Sequence, residues 1–246
     1  MTNKHKPLSR PAVSGLILGL SAIAAMVASG VGYRLGWWHF TVGLQVSEWA
    51  TYGAAVAMLL SITALVQTRP NAARRGRVVA ILGLLLALLP VGMALQWQYA
   101  TRAYPEINDI STDTLDAPVF WDMPTPTDYP GAKSAELQRV AYPDLVSLKL
   151  QGPSAQAFAY ALDVVKDKGW TVVASVPEEG RIEATSSSLL YGFTDEVAIR
   201  VKAVDGGVLV DVRSRSRIGK IDRGVNARRI RAYLADLQKR ASSPPR

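Results

Sequence analysis

Three long apolar runs occupy the first hundred residues: Pro11 to Val31, Ser47 to Val66 and Val78 to Trp97. Each holds the roughly twenty mostly apolar residues that a helix needs to cross a bilayer. They predict transmembrane helices over about 11–31, 47–66 and 78–98, within a membrane anchor of residues 1–101. The pattern then changes three times. Residues 102–130 form a Pro-rich strap, 131–241 read as an α+β domain, and 242–246 are a short tail.

The pattern of the domain alternates between helical and strand periods. Leu145 to Leu150 reads as a short strand. Gly152-Pro153 opens a helix that runs to about Lys168, with Ala155, Phe158, Leu162 and Val165 at helical spacing and Gly169 as its stop. Trp170 to Val176 is rich in β-formers and Pro177-Glu178-Glu179-Gly180 is a turn. Three alternating segments follow, Arg181 to Leu190, Asp195 to Val204 and Gly207 to Arg217. Asp205-Gly206 is a strong two-residue hairpin signal, and Gly192-Phe193 is read as another. Asp222 is a suitable N-cap for a last helix to about Arg240, whose inner face is Ile230, Leu234 and Leu237, with Val225 near its start. Strand, helix, four strands, helix is the order of an antiparallel sheet with two helices on one face, an α+β two-layer sandwich.

Strand alternation separates two faces of that sheet. Ile182, Ala184, Val197, Ile199, Val201, Val208, Val210 and Val212 point under the helices. Glu183, Arg200, Lys202, Asp211, Arg213, Arg215 and Arg217 point away. The Asp205-Gly206 turn sets Arg200 opposite Asp211 and Glu196 opposite Arg215; a Gly192-Phe193 turn sets Glu183 opposite Lys202. One reading of this face is a solvated ladder of ion pairs. The other takes the surplus of guanidiniums as a site for phosphate or carboxylate, whose geometry the guanidinium fork matches.

Charge decides the orientation of the anchor. Lys4, Lys6 and Arg10 precede the first span, Arg69, Arg74, Arg75 and Arg77 lie between the second and third, and the first loop, Gly32 to Gln45, carries only Arg34. The positive-inside rule then places the N-terminus in the cytoplasm and the C-terminal domain in the periplasm of an inner-membrane protein. Trp37, Trp38, Trp49, Trp97 and Tyr99 fall at the expected outer interface, where Arg34 and Glu48 are close enough in sequence to pair. Small residues at four-residue spacing (Gly15 and Gly19; Gly53, Ala57 and Ser61; Gly83 and Ala87) suit close helix packing, either within a three-helix bundle or against a partner. Pro90 removes a backbone donor from the third span.

Composition narrows the chemistry. There is no cysteine, which excludes disulfides, zinc–thiolate sites and thiol nucleophiles. The only histidines, His5 and His39, lie on the anchor side, so a Ser-His-Asp site has no base in the domain. Asp195 and Glu196 are adjacent on a strand and face opposite ways, so they cannot flank one bond. The net charge of +8 invites nucleic acid, but no aromatic interleaves the basic stripe between Val212 and Tyr233, and a nucleic-acid partner is not expected. In the strap, Asp109, Asp113, Asp116, Asp122 and Asp128 alternate with Pro105, Pro118, Pro124, Pro126 and Pro130. The segment is either an ordered strap across the domain or a carboxylate cluster for a hard cation, although its spacing is not that of an EF-hand loop.

Two motifs carry a resemblance. Asn108-Asp109-Ile110-Ser111-Thr112-Asp113, and the run from Asp211-Val212-Arg213-Ser214-Arg215 through Gly219-Lys220-Ile221-Asp222-Arg223-Gly224 to Arg231, are similar to the bacterial domain of unknown function 1499, over about residues 104–240. The resemblance implies a module that is often membrane-attached, with no activity, ligand or cofactor assigned to it. It also implies that strap and arginine strand form one structural unit, in which Asp109 or Asp113 would bond Arg213, Arg215 or Arg229. The expectation is therefore a domain that binds or scaffolds an envelope component through Arg200, Arg213, Arg215, Arg217, Arg229, Asp109 and Asp113, without cofactor or metal. The partners implied are the lipid bilayer and an anionic lipid or envelope polymer. The alternatives are a structural subunit for another membrane protein and, further off, an envelope hydrolase.

Overall fold

The computed structural model describes residues 6–124 and 128–242. Lys4, His5, Pro126 and the tail from 243 onward lie outside the described residues. By internal contacts the chain divides into two units, Met1–Tyr99 with Leu189–Gly192, and Ala100–Ser188 with Phe193–Arg246.

The first unit is built on three helices long and apolar enough to cross a membrane: α1 (Arg10–Arg34), α2 (Phe40–Gln67) and α3 (Arg77–Ala103). Their packing inverts the rule for soluble bundles. The buried positions are almost all small: Ala12, Gly15, Gly19 and Ala22 on α1, Ala54, Ala57, Ser61 and Ala64 on α2, Ala80, Gly83 and Ala87 on α3. The large aliphatics Ile17, Leu20, Leu59, Leu85, Leu89 and Leu95 face outward. Small residues let helix backbones approach where lipid tails offer no hydrophobic drive to association. A Cβ on Gly83 would come within 2.7 Å of Ser61 Oγ and 2.9 Å of the Leu16 nitrogen, whereas one on Gly53 would meet nothing within 4 Å. The four-residue ridges thus pack within the bundle, except at Gly53.

Two expectations for the anchor need correction. The first loop is short, because α2 starts at Phe40 and His39 occupies its N-cap position. Arg34 and Glu48 do not pair. Glu48 accepts the Tyr52 hydroxyl at 2.7 Å one turn along its own helix, and Arg34 Nη1 donates to the Leu189 carbonyl at 3.0 Å. The third helix continues through Pro90.

The second unit is an α+β sandwich with a six-stranded antiparallel sheet. Its elements are β1 (Asp109–Ser111), α4 (Ala132–Ala141), β2 (Leu148–Leu150), α5 (Ser154–Asp167), β3 (Thr171–Val176), β4 (Arg181–Ser187), β5 (Thr194–Val204), β6 (Gly207–Ser216) and α6 (Val225–Ser242). The strands run in the order β1-β6-β5-β4-β3, and β2 also pairs with β6. The two short strands divide one edge of β6. β1 takes Arg213 to Arg215 and β2 takes Val208 to Val210. An exposed row of ladder groups is thereby covered, the usual remedy for an open edge.

One face of the sheet packs under α5 and α6, as the alternation requires. Ile182, Ala184, Val197, Ile199, Val201, Val208, Val210 and Val212 meet Phe158, Ala161, Val165, Ile230, Tyr233 and Leu237 in one core. Two helix positions differ from the sequence reading, since Ala155 and Val225 lie in first turns and are exposed. The stripes are instead Ala157, Phe158, Ala161, Val164 and Val165 on α5, and Ala227, Ile230, Tyr233 and Leu237 on α6, with Leu234 partly buried. Asp222 accepts the N–H groups of Gly224 and Asn226 at 2.9 and 2.7 Å, satisfying donors at the start of α6.

Turn geometry fixes the register. Val204 faces Gly207 and Arg200 faces Asp211, as Asp205-Gly206 demands. The β4–β5 connection, in contrast, is not a two-residue turn. The last pair is Ser187 with Thr194, closed by Ser188 Oγ accepting the Phe193 N–H at 2.9 Å. Glu183 therefore faces Ala198 rather than Lys202. The slip is four residues, an even number, so every side chain keeps its face.

Candidate functional site

The face of the sheet turned away from α5 and α6 is charged, and it is covered. The strap crosses it and supplies both carboxylates and an aromatic lid. Phe120 is fully buried and packs with Met123 over Ala198, the one small residue among the charges. The guanidiniums of Arg213 and Arg215 lie 4.7 and 4.3 Å from the Phe120 ring centre, in cation–π range.

Each guanidinium on this face has a carboxylate partner. Arg213 binds Asp109 through two bonds of 2.9 and 2.7 Å and donates a third to the Pro118 carbonyl at 3.1 Å. Its side chain is 1% exposed and that of Asp109 is 5%. Arg215 and Arg217 share Glu196, each bonding it at 2.7 Å through Nε. Arg200 is held by Asp211 at 2.9 Å, by Asp116 at 2.9 Å and by Asp113 at 3.3 Å. Arg181 bonds Asp122, Glu179 and Glu183. Five arginines thus face eight carboxylates among the described residues, so the cation surplus read along β6 is reversed by the acids that the strap and β4 bring.

The backbone of the strap is pinned by the same residues. Glu183 accepts the N–H groups of Trp121 at 2.8 Å and Asp122 at 3.1 Å. Thr112 exchanges bonds with Val212, its N–H donating to the Val212 carbonyl and its hydroxyl accepting the Val212 N–H, both at 3.0 Å. Asp113 Oδ1 accepts the N–H groups of Leu115 and Asp116, a turn built by its own side chain. The described part of the strap is therefore held against the sheet, and its Asp109, Asp113, Asp116 and Asp122 point at arginines. Among the described residues no group of three or more His, Asp or Glu side chains is placed to hold a metal ion.

Six of the seven sequence candidates meet on this face: Arg200, Arg213, Arg215, Arg217, Asp109 and Asp113. Arg229 does not. It projects from α6 to Asp195 at 2.5 Å and to Ser214 at 3.0 Å, on the helix-covered side of the sheet. Of the expected contacts, Asp109 with Arg213 is present, while Asp113 engages Arg200. Two further residues lock the strap: Gln138 on α4, outside both motifs, and Asn226 on α6, within the second motif but not among the candidates. Gln138 is buried and bonds both backbone groups of Ser111, at 2.9 and 2.6 Å. Asn226 is fully buried, donates to the Asn108 carbonyl at 3.0 Å and accepts from Ser214 at 2.7 Å.

The electrostatics follow from burial. Burial pushes the Tyr129 phenol up to about 12, with Asp109 adding to the shift and Arg213 opposing it. Burial pulls the Arg200 guanidinium down, but the hydrogen bond and charge of Asp211, helped by Asp116 and Asp113, more than offset it and the net direction is up. Asp222 is raised by burial, against the N–H bonds of Asn226 and Gly224.

A small opening lies at the margin of the lid, a pocket of about 200 Å³ whose lining includes Pro118, Val119, Trp121, Glu179, Arg181 and Arg200. The Trp121 side chain stands beside it and is 67% exposed.

These features define a membrane-anchored α+β protein whose charged sheet face is internal to the fold. Residues 109–237 match the family described as protein of unknown function (DUF1499), and the chain belongs to that family. The matched segment begins at Asp109, so β1 and the rest of the lid fall within the family unit and α1–α3 fall outside it. A search of the curated proteins found no match.

Proposed function

We propose that the chain is a multi-pass protein of the inner membrane, with its N-terminus in the cytoplasm and its C-terminal domain in the periplasm. There it scaffolds an envelope component rather than transforming one. The observation that carries this reading is the closure of the charged face. Arg213, Arg215, Glu183, Glu196 and Asp211 are buried against one another and the lid, which gives them a structural task and leaves contact to the outside of the strap. Of the five arginines first singled out, Arg200 and Arg217 have the more exposed side chains, at 24% and 35%. An anionic group on an envelope polymer would therefore engage the domain at the pocket edge, beside Arg200 and Trp121, and at Arg217.

The orientation is supported by two features of the anchor. Arg10, Arg69, Arg74, Arg75 and Arg77 lie at one end of the helices, and Arg34 and Arg102 at the other. Trp37, Trp49, Trp97 and Tyr99, all more than half exposed, lie toward the Arg34 end, where aromatic rings settle at headgroup level. A phosphatase fused to the C-terminus should be active and a fluorescent protein fused there dark; the reverse result removes the periplasmic assignment. Binding is tested by retention of the full chain, in detergent, on an immobilised anionic envelope polysaccharide. Retention that falls with salt and is weakened by Arg217→Gln and Trp121→Ala is expected, and retention equal for all three proteins refutes the site.

A second reading, a structural subunit for another membrane protein, is favoured by Leu115 and Trp121, apolar side chains 97% and 67% exposed on the strap. Under it, Leu115→Asp and Trp121→Ala would abolish co-isolation of that protein while leaving the fold intact.

A further inference from the structure

The arginines of the charged sheet face are paired with carboxylates, but the basic residues around the α2–α3 loop of the anchor are not. Lys6, Arg10, Arg69, Arg74, Arg75 and Arg77 are all exposed. None has an ion pair among the described residues. The only carboxylate before residue 100 is Glu48, which lies nearly twenty residues from the C-terminal end of α2 at Gln67, on the order of 28 Å along a helix.

These cations are held on an ordered frame. The Arg75 N–H donates to the Pro7 carbonyl at 3.0 Å and the Ser9 N–H to the Arg75 carbonyl at 2.9 Å, a parallel bridge that ties the N-terminal segment to the α2–α3 loop. Ser9 Oγ adds a bond to Gln67 at 3.1 Å. Gly76, at φ 116°, lets Leu8 pack where a Cβ would stand 2.8 Å from it. The bridge brings Lys6 and Arg10 alongside Arg74, Arg75 and Arg77. The N-termini of α1 and α3 open at this same end against the single C-terminus of α2, so the helix dipoles leave a net positive potential there.

Two kinds of surface meet here. Val66 on the last turn of α2 and Val78 on the first turn of α3 are 61% and 69% exposed; Val78 adjoins Arg77 and Val66 lies three residues before Arg69. Free phosphate or a polyanion uses charge alone. A phospholipid uses charge for its phosphate and an aliphatic wall for its acyl chains.

We propose that this collar is a binding site for anionic phospholipid, with the arginines taking the headgroup phosphate and Val66 and Val78 bordering the acyl chains. The inference does not depend on which leaflet the collar occupies, nor on any ligand of the domain.

The test uses the purified full chain in mixed micelles containing equal phosphatidylglycerol and phosphatidylcholine, with retained lipid measured by native mass spectrometry. Phosphatidylglycerol should be retained over phosphatidylcholine. Each basic residue near an anionic surface is worth roughly a fivefold change in binding, so Arg74→Gln/Arg75→Gln/Arg77→Gln should weaken retention on the order of a hundredfold. If the triple variant does not fold, Arg74→Gln and Arg77→Gln singly should each lose about fivefold, and Arg34→Gln at the other end should lose nothing. Inorganic phosphate should not displace the lipid. Equal retention of the two lipids, an undiminished phosphatidylglycerol signal in the variants, or displacement by inorganic phosphate overturns the proposal.

Discussion

Asp109→Asn is the sharpest perturbation of the charged layer. It keeps the shape of the side chain and one acceptor but removes the charge that faces Arg213, whose own side chain is 1% exposed. The contacts the guanidinium would retain include the Pro118 carbonyl and two aromatic rings, Phe120 at 4.7 Å and Tyr129 at 5.7 Å, none of which carries a charge. Unit charges about 4 Å apart at an effective dielectric of about 20 attract by about 4 kcal/mol. Breaking a buried pair on one side typically costs about 3–5 kcal/mol. Against an overall stability of about 5–15 kcal/mol for a domain, that is a large fraction. Replacing both partners, as in Asp109→Leu/Arg213→Met, removes the desolvation problem together with the attraction, and should lie near wild type or up to about 4 kcal/mol above it. The assay is urea unfolding of the full chain in detergent, followed by hydrogen exchange in peptides from β5 and β6, with peptides from α1–α3 as internal reference. A cost for Asp109→Asn below about 1 kcal/mol, the range of an exposed pair, would refute the reasoning, as would a double variant worse than either single one.

Three further outcomes follow from the same geometry. Phe120→Ala, which empties a fully buried site and removes two cation–π contacts, should cost about 3–5 kcal/mol and expose the strap to protease; an unchanged cleavage pattern would show that the ring is not the lid. Gly83→Ala should lower the unfolding midpoint of the anchor in detergent because its Cβ meets Ser61 and the Leu16 backbone, while Gly53→Ala, with nothing within 4 Å, should leave it unchanged. Tyr129 is raised from 10.0 to about 12 in the folded protein, so its contribution to stability is intact below pH 10 and is lost as the pH rises toward 12; Tyr129→Phe should flatten that alkaline decline, and a decline identical to wild type would contradict the assignment.

Features written in periodicity were legible before the structure. The three spans, the order of strands and helices, and both faces of β4, β5 and β6 follow from spacing alone, and so does the Arg200–Asp211 pairing, because Asp205-Gly206 permits one register. Elements held by polar groups were hidden. α4 buries only Ala135 and Gln138 and has no apolar stripe to reveal it. Its role rests on one amide bonding both backbone groups of Ser111. Likewise, Asn226 looks like an ordinary residue in a helix start until Asn108 is placed against it. The β4–β5 loop misled because Leu190 and Tyr191 continue the alternation of a strand, yet they pack with the first unit and leave the ladder after Ser187. A surplus of arginine along one strand could not reveal the closed face either, since the acid that neutralises Arg213 and the Phe120 lid come from a segment about a hundred residues earlier.

That separation explains what the charged layer does. A strap of low apolar content has few hydrophobic contacts with which to select its position on a sheet. A slip of β1 by one residue along β6 would turn Asp109 and Ser111 toward the core and Ile110, now fully buried there, into the charged layer. The cost of such a slip comes from stranding Arg213 as well as from burying Asp109, so the ion pair rejects wrong registers more strongly than it stabilises the right one. The same pairing withdraws Arg213 and Arg215 from outside anions, because a competing phosphate would have to displace carboxylates already buried and bonded to them. Cations without counter-charges are found instead on the anchor, at Arg10, Arg69, Arg74, Arg75 and Arg77. The anchor is where electrostatic recognition by this protein should respond most strongly to salt.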